Sequence, residues 1–100
     1  METKTAILER IEERAEVLRR IKEDLISRLN LPYRPEDLHE DVSLLGSGLG
    51  LDSLDALEVI LGVEHAFGVK VAEDNIGILR SINTIADHVI AERRGGEAVS

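Results

Sequence analysis

Three stretches of this chain carry apolar side chains at three- and four-residue steps, separated by breaks rich in proline and glycine. That pattern is met by helices that each bury one face against the others. The first stretch runs from about Thr5 to Asn30, with Ile7, Ile11, Leu18, Ile21, Leu25 and Leu29 as its stripe. Opposite charges four residues apart, Glu16 with Arg20 and Asp24 with Arg28, support this helix. Nearer the start, Glu9 with Glu13 and Arg10 with Arg14 are like-charged pairs. Such a helix would span about 39 Å, whereas a compact domain of this length has a radius of gyration of about 13 Å. Part of such a helix must therefore overhang, bend or fray, and an overhanging end would leave dimerisation open.

Leu31-Pro32-Tyr33-Arg34-Pro35 is expected to end this helix, because proline cannot continue it. A long connection follows, whose Leu38, Val42, Leu44, Leu45 and Leu49 predict packing onto the helices. A second helix is expected over about Ser53–Phe67, with Leu54, Leu57, Ile60 and Leu61 at helical spacing and Gly68 as its stop. Gly62 inside it costs roughly 1 kcal/mol relative to alanine, which suggests close approach by another element. A short third helix is expected from Glu73 to about Ile78. Ser81 should cap the last helix, whose apolar face is Ile82, Ile85, Ala86, Val89 and Ile90, with Arg93 and Arg94 complementing its C-terminal dipole. Residues 95–100, opening on Gly95-Gly96, read as a frayed tail. The expected fold is an all-α bundle of four helices, three main and one short, with an extended N-terminal helix.

The segment Gly50-Leu51-Asp52-Ser53-Leu54-Asp55-Ala56-Leu57-Glu58 sets one serine where a loop bearing Gly46, Gly48 and Gly50 turns into the second helix. Asp52 and Ser53 are residue types that cap helix starts. Ser53 should be exposed there, and a phosphate joined to its oxygen would face free backbone N–H groups and the positive end of the helix dipole.

Charge concentrates in the same region. Residues 36–75 hold ten carboxylates against one base, Lys70, so this segment carries −9 and the rest of the chain +1. An acidic face of this kind attracts basic protein patches and argues against nucleic acid. The chain has no cysteine, and hence no disulfide and no thiol chemistry of its own. Neither a signal-peptide run nor about 20 consecutive apolar residues is present, so a cytoplasmic chain without a membrane span is expected.

Hydrolytic use of Ser53 would need a base and a group to orient it. His65 lies twelve residues further along the same helix, about 18 Å away, and nothing requires His39 or His88 to approach. A lipase-like G-D-S-L reading fails, since Leu51 precedes Asp52-Ser53-Leu54, Asp87-His88 lacks the Asp-x-x-His spacing, and the chain is short for that fold. Gly46-Ser47-Gly48-Leu49-Gly50 lacks the lysine of a nucleotide loop, and Asp52 and Asp55 lack the ligand alternation of a calcium loop. No catalytic and no metal site is expected.

The chain resembles the acyl carrier proteins of fatty-acid and polyketide synthesis over roughly residues 18–94. Gly50, Asp52, Ser53, Leu54, Asp55 and Glu58 fill their G-x-D-S-L pattern and acidic helix, and Glu64-His65-Ala66-Phe67-Gly68-Val69 extends it. The resemblance implies a division into an N-terminal helical extension (1–17), a carrier domain (18–94) and a flexible tail (95–100). It implies 4′-phosphopantetheine on Ser53, attached from coenzyme A by a magnesium-dependent phosphopantetheinyl transferase, with Asp52 and Leu54 beside it. The thiol of that arm would carry acyl groups as thioesters. Asp55, Leu57, Glu58, Leu61 and Glu64 would dock acyl transferases, ketosynthases and related enzymes through basic patches, and Ile60 would border an acyl pocket. His65-Ala66, Ser47-Gly48 and Leu51 depart from residues common in fatty-acid carriers, which suggests a specialised pathway. The alternative is an unmodified adaptor that binds partners through the acidic helix 53–67.

Overall fold

The computed structural model describes residues 4–45, 48–72 and 75–99, with backbone alone for Ile76 and 94–99. Among these the chain forms three α-helices, α1 (Lys4–Leu29), α2 (Ser53–Phe67) and α3 (Ile82–Val99), with 3-10 turns at Pro35–Asp37 and Ile76–Arg80. The fold is all-α, as the periodicity predicts. Val17, Ile21 and Leu25 of α1, Val59 and Val63 of α2, and Ile82, Ile85, Ala86 and Val89 of α3 make the core. Leu38, Leu44 and Leu51 join it from the long connection, which packs onto the helices as expected.

Helix α1 leaves the bundle toward its N-terminus. Ile7, Leu8 and Ile11 are 47%, 51% and 59% exposed, and the first α1 side chain buried in the core is Val17. One turn before Val17, Arg14 donates to Asp87 Oδ1 (2.8 Å) and Asn83 Oδ1 (3.0 Å) on α3. The longest dimension of the molecule, 43 Å, is close to the span of α1 itself. The helix ends before the prolines act: Asn30 takes a left-handed φ of 52°, and Leu31 N donates to Ile26 O at 3.1 Å. This six-to-one closure satisfies a carbonyl of the last turn.

Gly62 is explained by α1. A Cβ on it would overlap Asp24 Oδ2 and the Nε of Arg28, so the bare backbone lets this ion-paired turn of α1 lie against α2. Gly68 stops α2 at φ 66°, its N–H donating to Glu64 O.

The last third of the chain departs in detail from the expected helix bounds. The short helix expected from Glu73 is a 3-10 turn at Ile76–Arg80, and Glu73 and Asp74 lie outside the described residues. Its continuation is blocked because Ser81 N donates to Thr84 Oγ1 (2.9 Å) and not back along the turn, while the Thr84 hydroxyl occupies Ile78 O (2.6 Å). Ser81 does cap α3, its Oγ accepting from Thr84 N at 3.2 Å. Helix α3 then runs to Val99, through the Gly95-Gly96 pair at which fraying is expected. Arg93 accordingly sits six residues before the helix end. Its guanidinium lies 5.4 Å from the Phe67 ring centre, and Nη1 is 3.7 Å from Glu13. Arg20 covers the same ring at 4.6 Å and donates to Ala66 O (2.7 Å), so it is Arg20 that complements a helix C-terminus, that of α2.

Candidate functional site

The approach to α2 is a compact loop closed on itself. Leu49 N donates to Ser43 O (2.8 Å), Leu51 N to Leu44 O (3.0 Å), and Leu45 and Leu51 form an isolated parallel bridge. Gly48 is required for that closure, because a Cβ there would overlap the Ser43 carbonyl. Gly50 adopts φ 70°, a left-handed conformation open to glycine. Gly46 and Ser47 lie outside the described residues.

The chain enters α2 through a reciprocal cap. Asp52 Oδ1 accepts from Asp55 N (2.9 Å), and Asp55 Oδ2 accepts from Asp52 N (3.2 Å). Ser53 is the first helical residue and is exposed. The cap occupies the donors of Asp52 and Asp55, and among the described residues no hydrogen bond takes up the N–H of Ser53 or Leu54. Two donors therefore stand open at the positive end of the helix dipole beside the serine hydroxyl.

The same serine lines an apolar cleft of about 630 Å³. Its walls are Leu45 and Leu51 from the loop, Ala56, Leu57 and Ile60 from α2, Val71 and Ala72 from the α2–α3 connection, and Leu79 from the second 3-10 turn, with Asp52 beside Ser53. Ile60, expected to border a pocket, does so. The other walls come from segments whose meeting no local pattern announces.

On the outer side of α2, Leu54, Leu57 and Leu61 are 74%, 52% and 47% exposed and form one ridge at three- and four-residue spacing. Glu58 flanks the ridge, with Oε2 3.7 Å from Arg28 Nη1, and Asp55 is tied into the cap. Glu64 is turned inward, where its Oε2 accepts from Val71 N at 2.9 Å.

Two of the histidines, His39 and His65, are exposed. His88 binds the α2–α3 connection, its Nε2 lying 2.9 Å from Lys70 O. Among the described residues none hydrogen-bonds the Ser53 hydroxyl, and no three His, Cys, Asp or Glu side chains gather as metal ligands. Among the described residues no helix is long and apolar enough to cross a membrane.

Comparison with known proteins agrees. The family described as the phosphopantetheine attachment site matches residues 15–89. The acyl carrier protein of Zymomonas mobilis is 34% identical over 70 residues, 70% of this chain and 82% of that one. Chloroplastic acyl carrier proteins 4 and 3 of Cuphea lanceolata are 35% and 36% identical over 49% and 53% of this chain. The matched part spans 37% of each of those plant relatives. The chain belongs to the acyl carrier protein family and holds its phosphopantetheine attachment domain. Members of this family are carriers and not enzymes, and their prosthetic group is phosphopantetheine.

Proposed function

We propose that Ser53 is the attachment point of 4′-phosphopantetheine and that the protein carries acyl groups for a fatty-acid or polyketide-type synthesis. The observation that carries this reading is the coincidence, at one residue, of an exposed hydroxyl, two open backbone donors and an apolar cleft. The residues fit the group: the Ser53 and Leu54 N–H groups would be available to a phosphate on Ser53, and the cleft begins at the same residue. When attached, the arm supplies the thiol that the cysteine-free chain lacks and holds acyl groups as thioesters. Asp52 fixes the helix start and Leu54 stands beside the arm as an exposed contact. Ile60, Ala56 and Leu79 shelter an apolar cargo from water.

Attachment joins Ser53 Oγ to the phosphopantetheine phosphorus of coenzyme A and releases adenosine 3′,5′-bisphosphate, catalysed by a separate magnesium-dependent transferase. Leu57 and Leu61 supply apolar contacts, and Asp55 and Glu58 supply charge, for basic patches on that transferase and on acyl transferases and ketosynthases. Glu64 belongs to the same face in sequence, although its carboxylate is engaged with Val71. The departures at Ser47-Gly48, Leu51 and His65-Ala66 favour a dedicated pathway.

The test is intact mass after incubation with coenzyme A, magnesium and a broad-specificity transferase, followed by the native host's transferase. The parent gains one phosphopantetheine and Ser53→Ala gains none. Failure of the parent with both transferases would favour the unmodified adaptor, which needs only the α2 ridge.

A further inference from the structure

Val71 and Ala72 wall the cleft from a segment that has no helical ladder of its own. What holds that wall is a clamp on a single peptide group. Lys70 C=O and Val71 N–H are the two ends of one peptide unit. Glu64 Oε2, from α2, accepts the N–H at 2.9 Å. His88 Nε2, from α3, lies 2.9 Å from the carbonyl. A carbonyl only accepts, so Nε2 carries the proton. Nδ1 is then an acceptor, and it meets Asn75 Nδ2 at 3.4 Å, further along the same connection. Both helices that flank the wall thus grip the same peptide plane from opposite ends. Val69 and Val71 on either side are each 9% exposed, so the grip also sets which side chains face inward.

The geometry points to Glu64 and His88 as positioning residues of the cleft, which keep Val71 and Ala72 in place and thereby govern how well a carried chain is shielded from water. This assignment rests on the carrier reading of Ser53. It gives Glu64 an internal task and makes His88 part of the site from 35 residues away in sequence. Loss of either grip frees one end of the peptide, the wall loosens, and the cargo is exposed to attack.

The experiment loads the full chain at Ser53 with a decanoyl or an acetyl arm, from the corresponding acyl-coenzyme A, and measures thioester cleavage by hydroxylamine. In the parent the decanoyl thioester is cleaved more slowly than the acetyl. Glu64→Ala and His88→Leu speed decanoyl cleavage about three- to tenfold, the effect of one lost hydrogen bond, and leave acetyl cleavage unchanged. Glu64→Gln and His88→Gln, which keep an acceptor and a donor at those positions, stay near the parent. A second readout needs no cargo. Amide exchange at Val71 accelerates in Glu64→Ala, while Ile85 and Val89 in α3 keep their protection.

Decanoyl cleavage unchanged in both disruptive variants would overturn the clamp while leaving the carrier reading intact. Equal acceleration in the glutamine variants, or loss of protection at Ile85 and Val89, would replace positioning with general destabilisation. Equal cleavage of the two cargoes in the parent would remove the shelter the clamp serves. No loading at all would remove the carrier reading, and the clamp's purpose with it.

Discussion

At Gly62 the side chains of Asp24 and Arg28 occupy the space a methyl group would need, so two effects compete in Gly62→Ala. Helix propensity gains about 1 kcal/mol. Against it stands displacement of the Arg28 pairs with Asp24 (3.1 Å) and Glu58 (3.7 Å), partly exposed contacts worth about 0–1 kcal/mol each. Urea melts of Gly62→Ala should therefore fall within about 1 kcal/mol of the parent, whereas Gly62→Leu overpacks a buried contact and costs about 1–3 kcal/mol. Glu40 illustrates the pH side of the same scale. Its own backbone hydrogen bond, then Lys22 at 3.3 Å, hold its carboxyl below the ordinary value of 4.5. Because the folded pKa is the lower one, its stabilisation is complete above the ordinary value and is lost as pH falls through the folded value. Glu40→Gln should flatten the fall in melting temperature between about pH 5 and pH 3, and an unchanged acid limb would remove Glu40 from that balance.

Among the elements, α1 divides its work unevenly. The turns bearing Ile7, Leu8 and Ile11 contribute no residue to the buried core, while Ile21 is 1% exposed within it. Deletion of residues 1–11 should lower stability by less than about 2 kcal/mol, within the range of a single ordinary substitution. Ile21→Ala alone should cost about 2–5 kcal/mol. Chemical denaturation of the two variants side by side checks the contrast. The helices α1 and α2 were legible in the sequence to within a residue, because their stripes and caps are local signals: Asp52 before α2, Gly68 after it. The 3-10 turn was not. Its shape depends on Thr84 capturing both Ser81 N and Ile78 O, a bond made from the next helix backwards, which no forward reading of Glu73–Ile78 contains. The candidate site divides the same way. Ser53 and its helix start could be read from one nonapeptide, and Ile60 from helical phase. Leu45, Val71 and Leu79 become neighbours only when three separate segments close, and Glu64 reads as a surface acid until Val71 arrives beneath it.

For the molecule as a whole, the separation of charge matters more than its sum. The −9 segment contains both the connection and α2, and the balance of the chain is nearly neutral. Association with a basic partner such as the proposed transferase should slow steeply as salt is raised from about 0.05 to 0.5 M, with a smaller effect on dissociation. Stopped-flow mixing over that range checks it, and a salt-independent association rate would assign docking to the leucine ridge alone.

Because Ser53 is itself part of the cleft lining, anything hung from it is delivered to the cavity by a short tether. A tethered group experiences an effective concentration on the order of millimolar. A cleft with an intrinsic dissociation constant of about 0.1 mM, hopelessly weak for a free fatty acid in dilute solution, would then be filled about nine-tenths of the time. Such a cavity can afford to grip poorly: under the proposed function the cargo would be kept by proximity, and a partner enzyme would compete with only a feeble hold to draw the chain out.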